Sequence, residues 1–427
     1  MTPHAFSLVF AVFVAAAVAW RLWLGVRQVR HVAAHRDQVP ADFASVITIE
    51  DHRKAADYTL DKQRTALGET LAIDGVVLLA LTLGGGVAAI DRVSHALLGD
   101  GHLRDLGTVF GAMAVSFVLA LPFDLWRVFA IEARYGFNRT TPGLFIRDLA
   151  KGTFLALAFG TPLLLAIFAL VRVAGPLWWL YTWFAWIAFS MVLVMAFPRW
   201  IAPLFNRFTP LEEGDLRRRI EGLIERCGFH AEALFVMDGS RRSSHGNAYF
   251  TGFGHNKRIV FFDTLIDRLT IPEIEAVLAH ELGHFARGHI PRLLGVRFVL
   301  ALVLLAILGW LYGDPAFYQA IGLSEPHIGA ALAGFALIVP VFTFPFQPIA
   351  SLLARHQEFE ADAFAAQHAR ASDLASALAK LYRDNASTLT PDPLHSLVYD
   401  SHPPAALRID HLRRGQEAAS TLQGETP

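Results

Sequence analysis

Seven stretches of this 427-residue chain are each apolar over about the 20 residues a helix needs to cross a bilayer, a pattern few water-soluble folds can bury. They run approximately over 5–26, 70–90, 106–128, 153–173, 177–197, 290–311 and 328–352. The fifth, LWWLYTWFAWIAFSMVLVMAF, carries no charge at all. The second contains Asp74 and the run Gly84, Gly85, Gly86, and the third ends on Asp124 and Arg127, residues suited to a membrane exit or a polar cavity. Only 18% of the residues are charged, against about 25% in a typical soluble domain, so lipid contact accounts for the deficit. The first stretch lacks a basic leader and an evident cleavage site and is followed by Arg21, Arg27, Arg30 and Arg36, which predicts an uncleaved helix instead of a signal peptide.

Charge then orients the chain. Its 37 basic and 38 acidic residues nearly cancel, which excludes a nucleic-acid binder acting through overall basicity. One cysteine, Cys227, excludes an internal disulfide framework and any multi-cysteine metal site. With seven spans the termini lie on opposite sides, and one side receives 27–69, 129–152, 198–289 and the tail after about 353. That side holds Arg27, Arg30, Arg36, Arg53, Lys54, Arg64, Arg134, Arg139, Arg147, Lys151 and Arg199, while the other has little beyond Arg92 and Arg104. The positive-inside rule therefore puts the large loop and the tail in the cytoplasm.

Between about 199 and 289 the pattern changes. DLRRRIEGLIERC (215–227) places Leu216, Ile220, Leu223 and Ile224 on one helical face. Short apolar runs follow at 233–238, 247–253 and 258–263, and the last two flank residues 254–257, which predicts an antiparallel hairpin. A further helix starts near Thr270, where Thr270 and Glu273 have capping-box spacing and Pro272 sits in the first turn. The expected fold is mostly α: about seven transmembrane helices with a small α+β, zincin-like catalytic domain. Its expected parts are 1–198 (helices 1–5), 199–289 (cytoplasmic, with the edge strand and catalytic helix), 290–353 (helices 6–7) and 354–427 (the returning cytoplasmic part).

On the Thr270 helix lies His280-Glu281-Leu282-Gly283-His284, the HExxH pattern. Residues four apart share a helical face, so His280 and His284 can reach one ion, and Glu281 can take a proton from the attacking water. The alternative is a pair of surface histidines; the helix cap and the small Gly283, which permits close packing, favour a metal site. A catalytic zinc usually takes three protein ligands. The sixth and seventh stretches return the chain to the same side, where RHQEFEAD places Glu358 and Asp362 one turn apart. Glu358 is then the third ligand and Asp362 the partner that orients a histidine. The competing reading is a solvated acidic helix face, which is the reading taken for Glu360. His289 is read as a membrane-interface histidine, and His245, His356, Cys227 and the aromatic cluster Trp178–Trp186 are assigned no role in the chemistry.

Several separated segments now resemble the type I CAAX prenyl proteases, integral-membrane zinc metalloproteases. They are EARYGFNRTTPGLFIRD (132–148), PLFNRFTPLEEGDL (203–216), VMDGSRRSSHGNAYFTGFGHNKRIVFFDTL (236–265), AHELGHFARGH (279–289), RHQEFEADAFA (355–365) and SHPPAALRI (401–409). The resemblance implies an endopeptidase whose chamber is walled by seven helices and which carries one zinc ion per chain. His280, His284 and Glu358 would be its ligands and Glu281 its general base. It also implies that Asn247 and Ala248 hold substrate, that His402 stabilises the oxyanion, and that Arg408 supports the site structurally or through a ligand. Without the resemblance, Asn247 reads as an ordinary turn residue opening a strand. Ala354 and Gln357 depart from the pattern common in eukaryotic members.

The expected partners are a peptide or protein substrate, prenylated or not, and membrane lipid. The tail has no obvious endoplasmic-reticulum retrieval signal, which favours a bacterial inner membrane with the catalytic site toward the cytoplasm. Three alternatives compete: a quality-control metalloprotease with no prenyl requirement, a protease cutting within the membrane, and a seven-span transporter.

Overall fold

A computed structural model describes residues 2–229, 233–251, 258–323 and 326–424. Helix α1, Pro3–Ala34, is capped by the Thr2 hydroxyl, which accepts the Ala5 N–H at 3.2 Å, with Pro3 in its first turn. There follow α2 (Ile49–Leu81), α3 (Gly86–Leu98), α4 (His102–Glu132), α5 (Pro142–Val173) and α6 (Gly175–Phe205). Among the described residues six helices are long and apolar enough to cross a membrane, or seven if α2 and α3 together make one span. That pair differs in shape from the straight helix expected over 70–90, being bent by 56°. The break is built from glycine. A Cβ on Gly84 would lie 2.6 Å from the Ala80 carbonyl oxygen, and Gly85 adopts a φ of +75°, which L side chains rarely tolerate.

Large apolar side chains such as Phe154, Phe184, Trp200 and Trp310 face outward, as lipid contact requires. Several charged groups on these helices are paired. Arg21 meets Asp74 at 2.6 Å, Arg104 clasps Asp91 at 2.9 and 2.7 Å, and Arg127 joins Asp124 at 2.9 Å and Glu69 at 2.6 Å.

The rest of the chain builds the polar region. Strands β1 (Phe208–Pro210), β2 (Ala233–Met237), β3 (Ala248–Thr251) and β4 (Arg258–Phe262) form one sheet in the order β1-β2-β4-β3, with helix α7 (Asp215–Arg226) between β1 and β2 in the chain. Strands β2 and β4 are parallel and the other neighbours antiparallel. The expected β3–β4 hairpin is present, while its turn at 254–257 lies outside the described residues. Strand β3 forms an edge of the sheet.

Helix α8 (Ile271–Ala286) packs under the sheet and is followed by α9 (His289–Tyr312), α10 (Ile328–Thr343), α11 (Gln347–His368), α12 (Ala371–Asp384), α13 (Pro393–Tyr399) and α14 (Ala405–Gly424). One apolar core joins the sheet to α7, α8 and α12: Ile220 and Leu223 of α7, Ile259 and Phe261 of β4, Leu278 and Leu282 of α8, and Leu374 of α12 are all fully or almost fully buried. Each such side chain contributes about 1.5–3 kcal/mol relative to exposure. The capping box at Thr270 and Glu273 is formed. Glu273 also accepts from Ser376 Oγ at 2.6 Å and Lys380 Nζ at 2.8 Å, so the cap pins α8 to α12.

Candidate metal centre

Helices α8 and α11 cross with their backbones nearly touching. A Cβ added to Gly283 would lie 2.9 Å from Ala361 Cα and 3.1 Å from its carbonyl oxygen, so only glycine fits without a shift. That approach sets Glu358 of α11 against the histidine pair of α8. Glu358 Oε2 is 3.4 Å from His280 Nε2, Glu358 Oε1 is 3.3 Å from His284 Nε2, and the two ring nitrogens are 3.2 Å apart. The three prospective ligand atoms lie within 4.8 Å of one another.

The tautomers follow from the partners. His280 Nδ1 is 2.9 Å from Asp362 Oδ1, so in the neutral ring the Nδ1–H donates there and leaves an Nε2 lone pair facing Glu358. Arg408 donates to both Asp362 oxygens, from Nε at 2.9 Å and Nη2 at 2.6 Å, and its Nη1 is 3.2 Å from Glu358 Oε2. On the other side, His289 Nε2 donates to Glu360 Oε2 at 2.8 Å, which leaves its Nδ1 to accept from His284 Nδ1 at 2.8 Å. His284 Nε2 is thereby also a bare acceptor. With both rings neutral, two imidazole lone pairs and the Glu358 carboxylate, whose Oε2 has the Arg408 ion pair but no hydrogen bond, converge on one point. Such an acceptor-only cluster is unfavourable without a cation, and its N₂O donor set suits zinc with a position left open. The residues fit the metal.

His289 and Glu360 correct two sequence readings. His289 is buried and bonded to the ligand pair instead of lying at a membrane interface, and Glu360 holds it instead of being a merely solvated acid. The signal was Gly288, whose φ of +68° breaks the helix and turns His289 back over His284. Asp362 and Arg408 are the buried groups that touch His280.

Glu281 projects beside the pair and makes no hydrogen bond or ion pair among the described residues. Burial pushes its carboxyl up, opposed by His280 and His284. His402, on the turn between α13 and α14, brings Nε2 to 3.4 Å from Glu358 Oε1, while its Nδ1 meets Ser401 Oγ at 3.0 Å. Asn247 is exposed at the start of β3 and its side-chain oxygen accepts from Ala248 N–H at 2.8 Å; Ala248 itself is buried. His245, two residues earlier, stacks on Phe137 with centroids 4.4 Å apart, lies 3.5 Å from Glu132 Oε2 and faces Asn385 Oδ1 at 3.2 Å. The approach to β3 is thus tied to the end of α4.

Residues 28–207 match the family described as CAAX prenyl protease N-terminal, five membrane helices, and residues 210–416 match Peptidase family M48. A CAAX prenyl protease 1 homolog of Arabidopsis thaliana is 37% identical over 402 residues, covering 91% of this chain and 92% of the relative. The chain belongs to the CAAX prenyl proteases of peptidase family M48. The Homo sapiens CAAX prenyl protease 1 homolog is 30% identical, with 92% of each chain covered. The crystal structure of S. mikatae Ste24p superposes with a TM-score of 0.88 at 29% identity, over 95% of this chain and 98% of that one. As an M48 peptidase carrying the family's membrane helices, the protein is a membrane-embedded metalloendopeptidase, which sets the transporter reading aside. Helix α8 is not among the helices long and apolar enough to span, so HExxH lies outside the candidate spans.

Proposed function

We propose that this enzyme is a zinc endopeptidase that cuts near the C-terminus of prenylated CAAX-type substrates at the cytoplasmic face of a membrane, taken to be a bacterial inner membrane. The observation that carries the reading is the convergence of His280 Nε2, His284 Nε2 and Glu358 beside an unpaired, half-buried Glu281. The substrate class is supported by the names of the relatives, CAAX prenyl protease 1 homologs from a plant and a mammal. The orientation is supported by the excess of Arg and Lys on the catalytic side.

Held by His280, His284 and Glu358, zinc would supply a Lewis acid and make water acidic enough to lose a proton near neutral pH. The chain's own groups do the rest. Glu281 accepts the water's proton and returns it to the leaving amine; an elevated carboxyl is suited to both, because its pKa lies nearer the working pH. His402 donates to the oxyanion that develops on the scissile carbonyl. Strand β3 presents its free edge at Asn247 and Ala248, so an extended peptide adds to the sheet through its backbone. Asp362 and Arg408 keep His280 in the tautomer the metal needs.

Glu281→Gln is expected to keep zinc and lose turnover by about 10²–10⁴-fold; retained peptidase activity would overturn the base assignment. Glu358→Ala should lower zinc content and activity together. Mass-spectrometric mapping of cut sites on a prenylated peptide and its unprenylated twin tests the substrate. Equal cleavage of both would favour a quality-control protease, a reading supported by the backbone-directed edge of β3.

A further inference from the structure

One face of α2 turns toward an open cavity of about 420 Å³, to which it contributes Thr59, Lys62 and Gln63. The opposite wall includes Thr388, Ser401 and His402. Because His402 lies 3.4 Å from Glu358, this cavity adjoins the metal centre. Lys62 is its distinctive group. The ammonium sits 3.9 Å from the centroid of the Tyr58 ring, a contact that holds the cation in place without a direct carboxylate partner. Lys62 makes no ion pair among the described residues. Arg21, which lines the adjoining cavity reached past Gln63, His395 and Tyr399, is by contrast already paired with Asp74.

Glu132 attracts Lys62 through space but makes no direct pair with it among the described residues. Glu132 is engaged by the Tyr58 hydroxyl and faces His245. Asp400, in the cavity lining, is pushed up by burial, so it repels an incoming anion less than a free aspartate would. A cation with no direct carboxylate partner, at the mouth of an open pocket lined by hydroxyl and amide side chains, is a receptor for a carboxylate.

We propose that Lys62 binds the free C-terminal carboxylate of the peptide substrate and so measures the distance from the chain end to the cut. The proposal rests on the reading that the enzyme works near a C-terminus. In a CAAX motif three residues follow the cysteine, and three extended residues reach about 10 Å, the scale of a cavity of this size. The carboxylate displaces water and pairs with the ammonium, while the hydroxyls of Thr59 and Thr388 are available to its second oxygen.

The test uses the full-length, metal-loaded enzyme in proteoliposomes and two peptides identical except for a free carboxylate or a carboxamide at the C-terminus, each with and without the prenyl group. The acid is expected to be favoured by about tenfold or more in kcat/KM, chiefly through KM. Lys62→Met erases that preference by slowing the acid, Lys62→Arg keeps part of it, and hydrolysis of the amide reports that each variant is folded. Equal use of acid and amide by the native enzyme, or an equal loss on both in Lys62→Met, overturns the proposal. An acid preference that persists without the prenyl group sinks the prenyl part of the substrate reading and supports Lys62. Prenyl dependence with no acid preference does the reverse.

Discussion

His280 and His284 sit one turn apart and face the same point, yet the two sides of the pair are held by different means. Around His280 the partners are sealed in: the Asp362 side chain has no exposed surface and that of Arg408 is 6% exposed. Around His284 the support reaches the rim, through His289 to a Glu360 side chain that is 33% exposed. The inner side fixes its histidine with full charges in a dry setting, where removing one partner leaves another uncompensated. The outer side uses a neutral ring as a relay to a hydrated acid, where water can replace what is lost. Glu358 joins the two halves by contacting both imidazoles.

The largest test strikes the inner side. Asp362→Ala leaves the buried Arg408 with Glu358 alone and is expected to cost about 3–5 kcal/mol of stability together with most of the bound metal, read by thermal melting and elemental analysis. If the outer-side variants cost as much, the contrast fails.

Proton competition sharpens it next. Burial works against a charged His280, but Asp362 and Glu358 outweigh it and push its pKa up to about 9. A raised pKa stabilises the metal-free protein below the ordinary value of 6.5, and that contribution fades as pH rises through about 9. Metal must displace this proton, so affinity should climb about tenfold per pH unit across the window and uptake should release a proton. Titration calorimetry in two buffers measures the release, and Asp362→Asn should flatten the dependence; an affinity indifferent to pH would contradict the inner-side assignment.

Gly283→Ala presses on both sides at once. It should cost about 1–3 kcal/mol by forcing α8 from α11, and metal binding should weaken without any ligand being altered. The smallest effect belongs to the outer side: His289→Phe or Glu360→Gln should weaken metal binding about tenfold and leave the melting temperature nearly unchanged. A melting drop as large as that of Asp362→Ala would erase the distinction.

The readable parts of this protein were those governed by spacing. The apolar stretches, the amphipathic 215–227 helix, the Thr270 cap and the four-residue intervals of His280–His284 and Glu358–Asp362 all rest on helical period, which survives tertiary context. Features that depend on a change of backbone phase did not show. In an unbroken helix His289 points away from His284, and only the left-handed Gly288 brings it back. Lys62 resembles any solvated lysine of the polar stretch 49–69, because its isolation depends on which face of α2 meets the cavity. Arg408 and His402 stand far from HExxH in the chain, and only family likeness singled them out. The bend between α2 and α3 was foreshadowed by three glycines, but its angle was not.

The bare backbone at residue 283 has a bearing on which ion the enzyme admits. With the two helices resting on each other at Gly283 and Ala361, the separation of the backbones that carry the donor side chains is set by hard contact. The grip is therefore of nearly fixed aperture. A divalent ion of larger radius that prefers more oxygen neighbours, such as calcium, meets jaws that cannot widen and too few donors to surround it. Discrimination by size is thus written into the absence of one methyl group.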